Sequence, residues 1–438
     1  MVRGFVFAMM VSAAAAAQQQ QPQPLTLEEA VRLSLERNQD LQRQILLTLS
    51  SQQDQIIARS AVLPRLDFNA SVGRTRQGAG DVVVSGVSFP QPASNFSTTS
   101  AGLNLRQLIF DGGKWWNSIS SANLAYDANV AQVDEQRLQI TYLVEQRFYE
   151  LVRAQRQLVV LADAARRSRD QADYTQRLFE GGRATQADVY AARANRDNDE
   201  VTRLGQERQV ELARSDLSLA IGLDPGTPLT VSEPRNMLAE PNQPPQLQPA
   251  VERALTNRPS LKFFALTVES NRKAASAANG DYWPVVSVNG FWQRGTRDDV
   301  SKLFETPTRE SQAGWTFNLT WNLFNGLATR ANVRKAELQS ALAENDLASG
   351  RRAVASDVEK AVAQLSAARQ QARVAQQAEQ TAREGLRLAR TRQEVGVGTQ
   401  LEVRDAELKL TQAQLNVVGS LVDGREAEAA LRRAQGGT

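Results

Sequence analysis

The stretch Glu394 to Ala406 reads EVGVGTQLEVRDA, and Glu180 to Ala192, 214 positions earlier, reads EGGRATQADVYAA. Each follows a run of roughly 65 residues without proline, Lys114 to Glu180 and Leu327 to Glu394. Glycine takes backbone angles that other residues resist, so Gly181, Gly182, Gly396 and Gly398 mark the points where a long helix stops and turns. Thr185 and Thr399 then start a second helix. TQAD and TQLE fit the capping box, in which the hydroxyl takes a backbone N–H three residues on and the acid there, Asp188 or Glu402, reaches back to the cap. Asp405 lies on the same helix face as Glu402, three residues later, and no capping role accounts for it.

Working outward, the duplication extends along the chain. TLEEAVRLSLERNQDL (Thr26 to Leu41) matches QLQPAVERALTNRPSL (Gln246 to Leu261) at an offset of 220, and Pro64 falls on Pro284 at the same offset. LRQLIFDG (Leu105 to Gly112) falls on LTWNLFNG (Leu319 to Gly326) at 214. Each half therefore reads short helix, helix, strand, loop, strand, long helix, sharp turn, helix. The boundaries are a first repeat at 25–222, a linker at 223–246 with six prolines, and a second repeat at 247–438.

The long helices carry a sustained seven-residue step. Val144, Leu151, Leu158, Ala165, Ala172 and Phe179 form one seam; Leu347, Val354, Ala361, Ala368, Ala375, Ala382 and Ala389 form the other. Such a step predicts coiled-coil packing over about 100 Å of helix. So narrow a stripe cannot stabilise a helix alone, so flanking helices are required.

Strands are expected at 64–78, 98–112, 284–296 and 312–325, where residues such as Leu66, Phe68, Ala70 and Val72 alternate with polar ones. Long polar loops join them near 78–98 and 296–311. Strands of this length suit a tilted membrane crossing. Lipid does not tolerate open sheet edges, and four strands are too few to close a barrel. A trimer pooling twelve strands is the simplest closed solution; a soluble four-stranded sheet packed on helices is the other. Trp115, Trp116, Trp315 and Trp321 fit an aromatic belt at a membrane boundary or ordinary core packing.

Composition narrows the chemistry. The 438 residues include 51 basic and 48 acidic ones, for a net charge of +3, and no cysteine or histidine. Thiol nucleophiles, the commonest general base and the best zinc ligands are thus missing, and no cofactor fingerprint is present. No basic block argues for nucleic acid. MVRGFVFAMMVSAAAAAQ has the basic start, apolar centre and small-residue end of a secretory signal, placed at 1–17 and followed by a Gln/Pro-rich linker at 18–24.

LTLEEAVRLSLERNQDL, the strand-to-helix turns LIFDGG and NLFNG, and the helix turns FEGGRATQADV and EVGVGTQLEV together resemble the TolC-type outer membrane efflux protein family. The resemblance covers nearly all of the chain after the signal. It implies a mainly α protein with a β-barrel part: a homotrimer whose long helices form an α-barrel through the periplasm, joined to a shared twelve-stranded barrel in outer-membrane lipid. It implies a non-enzymatic exit duct for a drug efflux pump or type I secretion system of a Gram-negative bacterium. The implied partners are a periplasmic adaptor and an inner-membrane transporter of RND or ABC type. It also implies a periplasmic constriction at Glu402, Asp405 and Asp188, with adaptor contact at the tip turns Gly181, Gly182, Thr185, Gly396, Gly398 and Thr399. Gly398 stands where many members carry a basic residue, so a basic latch at that position is not expected. The alternative is a periplasmic coiled-coil adaptor or structural protein without a barrel.

Overall fold

The computed structural model describes residues 24–224, 226, 227, 229–234, 237, 239–299 and 308–437. The expected signal at 1–17, residues 18–23 of the linker after it, and residues 300–307 of the second loop lie outside the described residues.

Both halves share the order helix, helix, long strand, long strand, long helix, helix, and the first carries two further short strands between its long ones. The first has α1 (Leu27–Arg37), α2 (Gln39–Ser60), β1 (Arg65–Gln77), β2 (Gly80–Val84), β3 (Val87–Gln91), β4 (Ser94–Phe110), α3 (Lys114–Glu180) and α4 (Gln186–Ala220). The second has α5 (Leu247–Asn257), α6 (Pro259–Asn279), β5 (Val285–Asp299), β6 (Thr308–Thr320), α7 (Ala328–Glu394) and α8 (Gln400–Ala434). Both α3 and α7 run 67 residues. No helix among the described residues is long and apolar enough to cross a membrane.

Packing divides the chain differently from the repeat. One compact unit comprises Met1–Gln39, Gln139–Pro245 and Ala361–Arg433; the other comprises Asp40–Leu138, Gln246–Lys360 and Ala434–Thr438. Among the described residues the first unit is helical apart from a single bridge between Leu25 and Val231. Its core holds Val144, Phe148, Leu151, Leu217, Leu365, Val403 and Val422, all fully buried. The seven-residue seams supply much of this core, since Ala165, Ala172, Ala361 and Ala368 are buried too; Phe179, at the end of α3, is exposed. The proline-rich linker is fastened to this unit. Glu240 takes bonds from Arg369 at 2.8 Å and Arg373 at 2.6 Å, and Arg425 donates to the Ala239 carbonyl at 2.9 Å. Pro241 lies so close to Gly424 that a Cβ there would meet its ring at 2.2 Å.

The second unit contains the sheet, ordered β1-β4-β5-β6 with every neighbour antiparallel. Its two faces differ. By register, Leu66, Phe68, Leu103, Trp292, Trp315 and Phe317 share one face, and all are exposed in the single chain. The other face carries Asn69, Ser71, Ser100, Asn104, Asn289 and Thr316, with the Ser71 and Ser100 hydroxyls 2.8 Å apart. β1 and β6 are open edges.

Two expectations need correction. The region near 78–98 is not simply a polar loop: it holds the ribbon β2–β3, in which Val82 pairs with Phe89 and Val84 with Val87. Ser85 and Gly86, at φ of 53° and 82°, make the two-residue turn whose twist suits a hairpin. The last strand also ends at Thr320 rather than near 325, because its partner begins only at Val285, after Pro284. Proline has no N–H to extend the ladder. Trp321 instead donates its indole N–H to the Tyr282 carbonyl at 3.1 Å. Trp116, Trp315 and Trp321 are exposed, so core packing in the single chain does not account for them.

Candidate functional site at the helix tips

Both tip turns are built by the same backbone device. After α3, Arg183 N donates to Leu178 O at 2.7 Å and Gly182 N to Phe179 O at 2.9 Å. After α7, Val397 N donates to Arg392 O at 3.0 Å and Gly396 N to Gln393 O at 3.1 Å. This six-to-one and five-to-two pair is the Schellman arrangement, which needs a left-handed residue. Gly182 and Gly396 supply it, at φ of 70° and 81°. The other two tip glycines act differently. A Cβ on Gly398 would lie 2.9 Å from Gln393 N, whereas one on Gly181 would make only ordinary contact at 3.5 Å. Gly396→Ala is therefore expected to destabilise the tip by about 1 kcal/mol and Gly181→Ala by a few tenths at most, as read from paired thermal melts.

The caps differ between the two tips. At α4 the box is complete: Asp188 N donates to the Thr185 hydroxyl oxygen at 3.2 Å, and Thr185 N donates to Asp188 Oδ2 at 2.8 Å. The Thr185 hydroxyl, and then its N–H, hold the Asp188 carboxyl below its ordinary value. At α8 only half the box forms. Glu402 N donates to Thr399 Oγ1 at 3.2 Å, while the Glu402 carboxylate lies 3.5 Å from Arg392 Nε. Asp405 pairs with Lys409 at 2.6 Å, one turn on. Glu402, Asp405 and Lys409 line one groove with Ala382, Gly385 and Ala389 of α7. Asp188 is not among the residues lining that groove, which α7 and α8 form, whereas Asp188 stands on α4.

Behind these acids lies a cluster that the sequence does not announce. Arg404 forks onto Asp199, with Nη1 at 2.7 Å from Oδ2 and Nη2 at 2.9 Å from Oδ1. It also reaches Ser168 Oγ at 3.0 Å, and Ser168 donates to Asp199. One residue of α8 thereby ties α3 and α4 together, with the two charged side chains only 18% and 17% exposed. Burial pushes Asp199 upward, but the guanidinium and the Ser168 hydroxyl outweigh it and leave it below its ordinary value. The bond to Asp199 raises Arg404 in turn. Next to this pair Arg390 of α7 holds the buried Glu407 at 2.8 Å, and Arg167 of α3 donates to Thr411 at 3.0 Å. All four helices of the tip are thus joined by charged or polar bonds. At the matching place in the first tip, 214 residues earlier, Tyr190 stands for Arg404 and Ala191 for Asp405. No arginine stands at that position in the first tip, so the cluster centres on Arg404 of the second hairpin and draws Arg167, Ser168 and Asp199 from the first.

The family model for outer membrane efflux proteins matches residues 30–223 and 250–437. The fusaric acid resistance protein FusA of Burkholderia cepacia is 26% identical over 288 residues, which are 64% of this chain and 52% of that protein, so the chain spans about half of that relative. The outer membrane protein TolC of Vibrio cholerae is 23% identical over 399 residues, covering 89% of this chain and 87% of that one. Among solved structures, the outer membrane protein VceC of Vibrio cholerae aligns with a TM-score of 0.76 and 19% identity, over 94% of this chain and 96% of that one.

Proposed function

The chain belongs to the outer membrane efflux protein family, whose members are outer-membrane channels, and from that premise we propose that it is the exit duct of a Gram-negative efflux or secretion system. The observation that carries this reading is the two-faced sheet with open edges. An apolar face left in water, beside β1 and β6 with unpaired backbone groups, is a liability for a soluble monomer. Three copies pooling four strands each would close a twelve-stranded barrel with Asn, Ser and Thr toward its lumen and Leu, Phe and Trp toward lipid. The long helices would then form the periplasmic tunnel. A soluble periplasmic adaptor has no use for such a sheet.

In this reading the protein is a passive homotrimer exported through a cleaved signal at 1–17. It works with a periplasmic adaptor seated at the tip turns and an inner-membrane transporter of RND or ABC type. Glu402 and Asp405, which share one groove, line the periplasmic constriction, and three copies make a ring of negative charge that favours cations. Asp188 contributes mainly as a cap.

The test is conduction in planar bilayers. Wild type should form cation-preferring channels, and Glu402→Gln with Asp405→Ala should bring the reversal potential toward zero under a salt gradient. Channels with unchanged selectivity would remove these acids from the constriction. A chain that stayed soluble without detergent and never conducted would end the duct reading.

A further inference from the structure

The geometry points to a binding surface for the phosphorylated glycolipid of the outer leaflet, formed by Arg74, Arg76, Arg294 and Arg309. The inference rests on the duct reading and adds a ligand that this reading does not specify. The pattern lies in the sheet register. Along β1 the apolar face runs Leu66, Phe68, Ala70, Val72 and then changes to Arg74 and Arg76. On the same face β4 changes from Leu105, Leu103 and Ala101 to Thr99, Ser97 and Asn95. β5 goes from Val286, Val288 and Trp292 to Arg294 and Thr296, and β6 from Leu319, Phe317, Trp315 and Ala313 to Ser311 and Arg309. All four strands switch from apolar to basic or uncharged polar residues toward the end away from the helix junctions.

Three observations favour an anionic lipid headgroup here. The arginines continue the lipid-facing row rather than the polar one, since side chains alternate between faces of a sheet. All four are exposed, and among the described residues no ion pair holds any of them. The acids Asp67 and Glu310 fall on the opposite face by register. An unpaired guanidinium beside a hydrocarbon band meets headgroups, and its planar fork matches a phosphate. Neighbouring hydroxyls such as Thr99 and Ser311 can donate to phosphate or sugar oxygens.

The experiment titrates the full-length chain in mild detergent with fluorescent diphosphoryl lipid A and, separately, with its monophosphoryl form. Wild type should bind the diphosphoryl form more tightly. Arg74→Gln, Arg76→Gln, Arg294→Gln and Arg309→Gln together should weaken that binding at least about tenfold, because each basic residue beside an anionic lipid surface contributes separately. The corresponding four Arg→Lys changes should retain most of it. Binding unaltered by the Gln set would overturn the inference, as would displacement of the lipid by millimolar inorganic phosphate, which would mark a site for soluble anions. Planar-bilayer conduction separates the two levels of the argument. A Gln set that conducts and has lost lipid A supports the inference. A Gln set that conducts and binds normally overturns it while leaving the duct intact. A wild type that never inserts sinks both.

Discussion

Arg404→Leu is expected to raise the resting leak of the reconstituted channel by roughly 10- to 100-fold, equivalent to about 1.4–2.8 kcal/mol at 1.4 kcal/mol per decade. The reasoning starts from burial. A buried ion pair contributes little over a well-packed apolar pair, but removing one partner strands the other and costs about 3–5 kcal/mol. Arg404 and Asp199 are each nearly one-fifth exposed, which places the effect below that range. The change removes the bonds that join α8 to Asp199 of α4 and Ser168 of α3. If the tips must part for conduction, these bonds exist only in the closed arrangement, and their loss shifts the balance toward the open one. Asp199→Leu should leak similarly, and the double variant should leak less than the sum of the singles implies. Acid should act in the same direction. The Asp199 carboxyl lies below its ordinary value when folded. The pair's contribution is therefore complete above the ordinary carboxylate value of about 3.9 and disappears as pH falls through the lower folded value. Wild type should thus keep its closed tip at pH 5 to 8 and lose the pair's contribution only below the carboxylate range. A lower melting point for Arg404→Leu with no change in leak would make the pair a structural tie that persists in both states.

The parts of this molecule differed in how plainly the sequence announced them, and the difference follows from range. The long helices, their heptad seams and the Thr185–Asp188 cap are legible because each rests on residues three, four or seven apart. The strands are legible because Leu66, Phe68, Ala70 and Val72 alternate. The β2–β3 ribbon was hidden by its surroundings of Gly, Ser and Pro, although Val82–Val84 and Val87 flank a two-residue turn with a glycine. At the tip, the paired acids of the second hairpin could be read locally, but the complete cap of Asp188 and the half cap of Glu402 could not be told apart from TQAD and TQLE. The bond from Arg404 to Asp199 spans 205 residues and has no short-range signal. Only the missing counterpart, Tyr190 in the first tip, hints that position 404 has its own duty. The linker is similar: six prolines mark it as irregular, but nothing local says that Pro241 seats against Gly424.

Glu135→Ala should lower stability by about 3–5 kcal/mol, the usual cost of breaking a buried ion pair by removing one member. Glu135 and Arg258 are joined by two bonds, Nε to Oε2 at 3.1 Å and Nη2 to Oε1 at 2.9 Å, with both side chains about 95% removed from solvent at 4% and 5% exposed. The acid also has a second task. Arg258 precedes α6 and its side chain forms no cap bond, so the helix start depends on a distant group. Glu135 Oε2 accepts from Ser260 N at 3.2 Å, placing a carboxylate where the helix N-terminus favours negative charge. The two tasks can be separated. Glu135→Gln keeps an acceptor for Ser260 but loses the charge. Glu135→Leu with Arg258→Met removes both charges, so it should recover most of the ion-pair loss and retain a deficit of about 1 kcal/mol from the missing cap. Tryptophan emission during thermal melts in detergent reads all three, and at about 2 °C per kcal/mol for a large chain Glu135→Ala should melt roughly 6–10 °C below wild type. A double variant no more stable than Glu135→Ala would show that the cap, rather than the charge pair, is what this site contributes. A Glu135→Ala melt within a degree of wild type would mean that water reaches Arg258 once the acid is gone, and that the tight packing around it does not hold in solution.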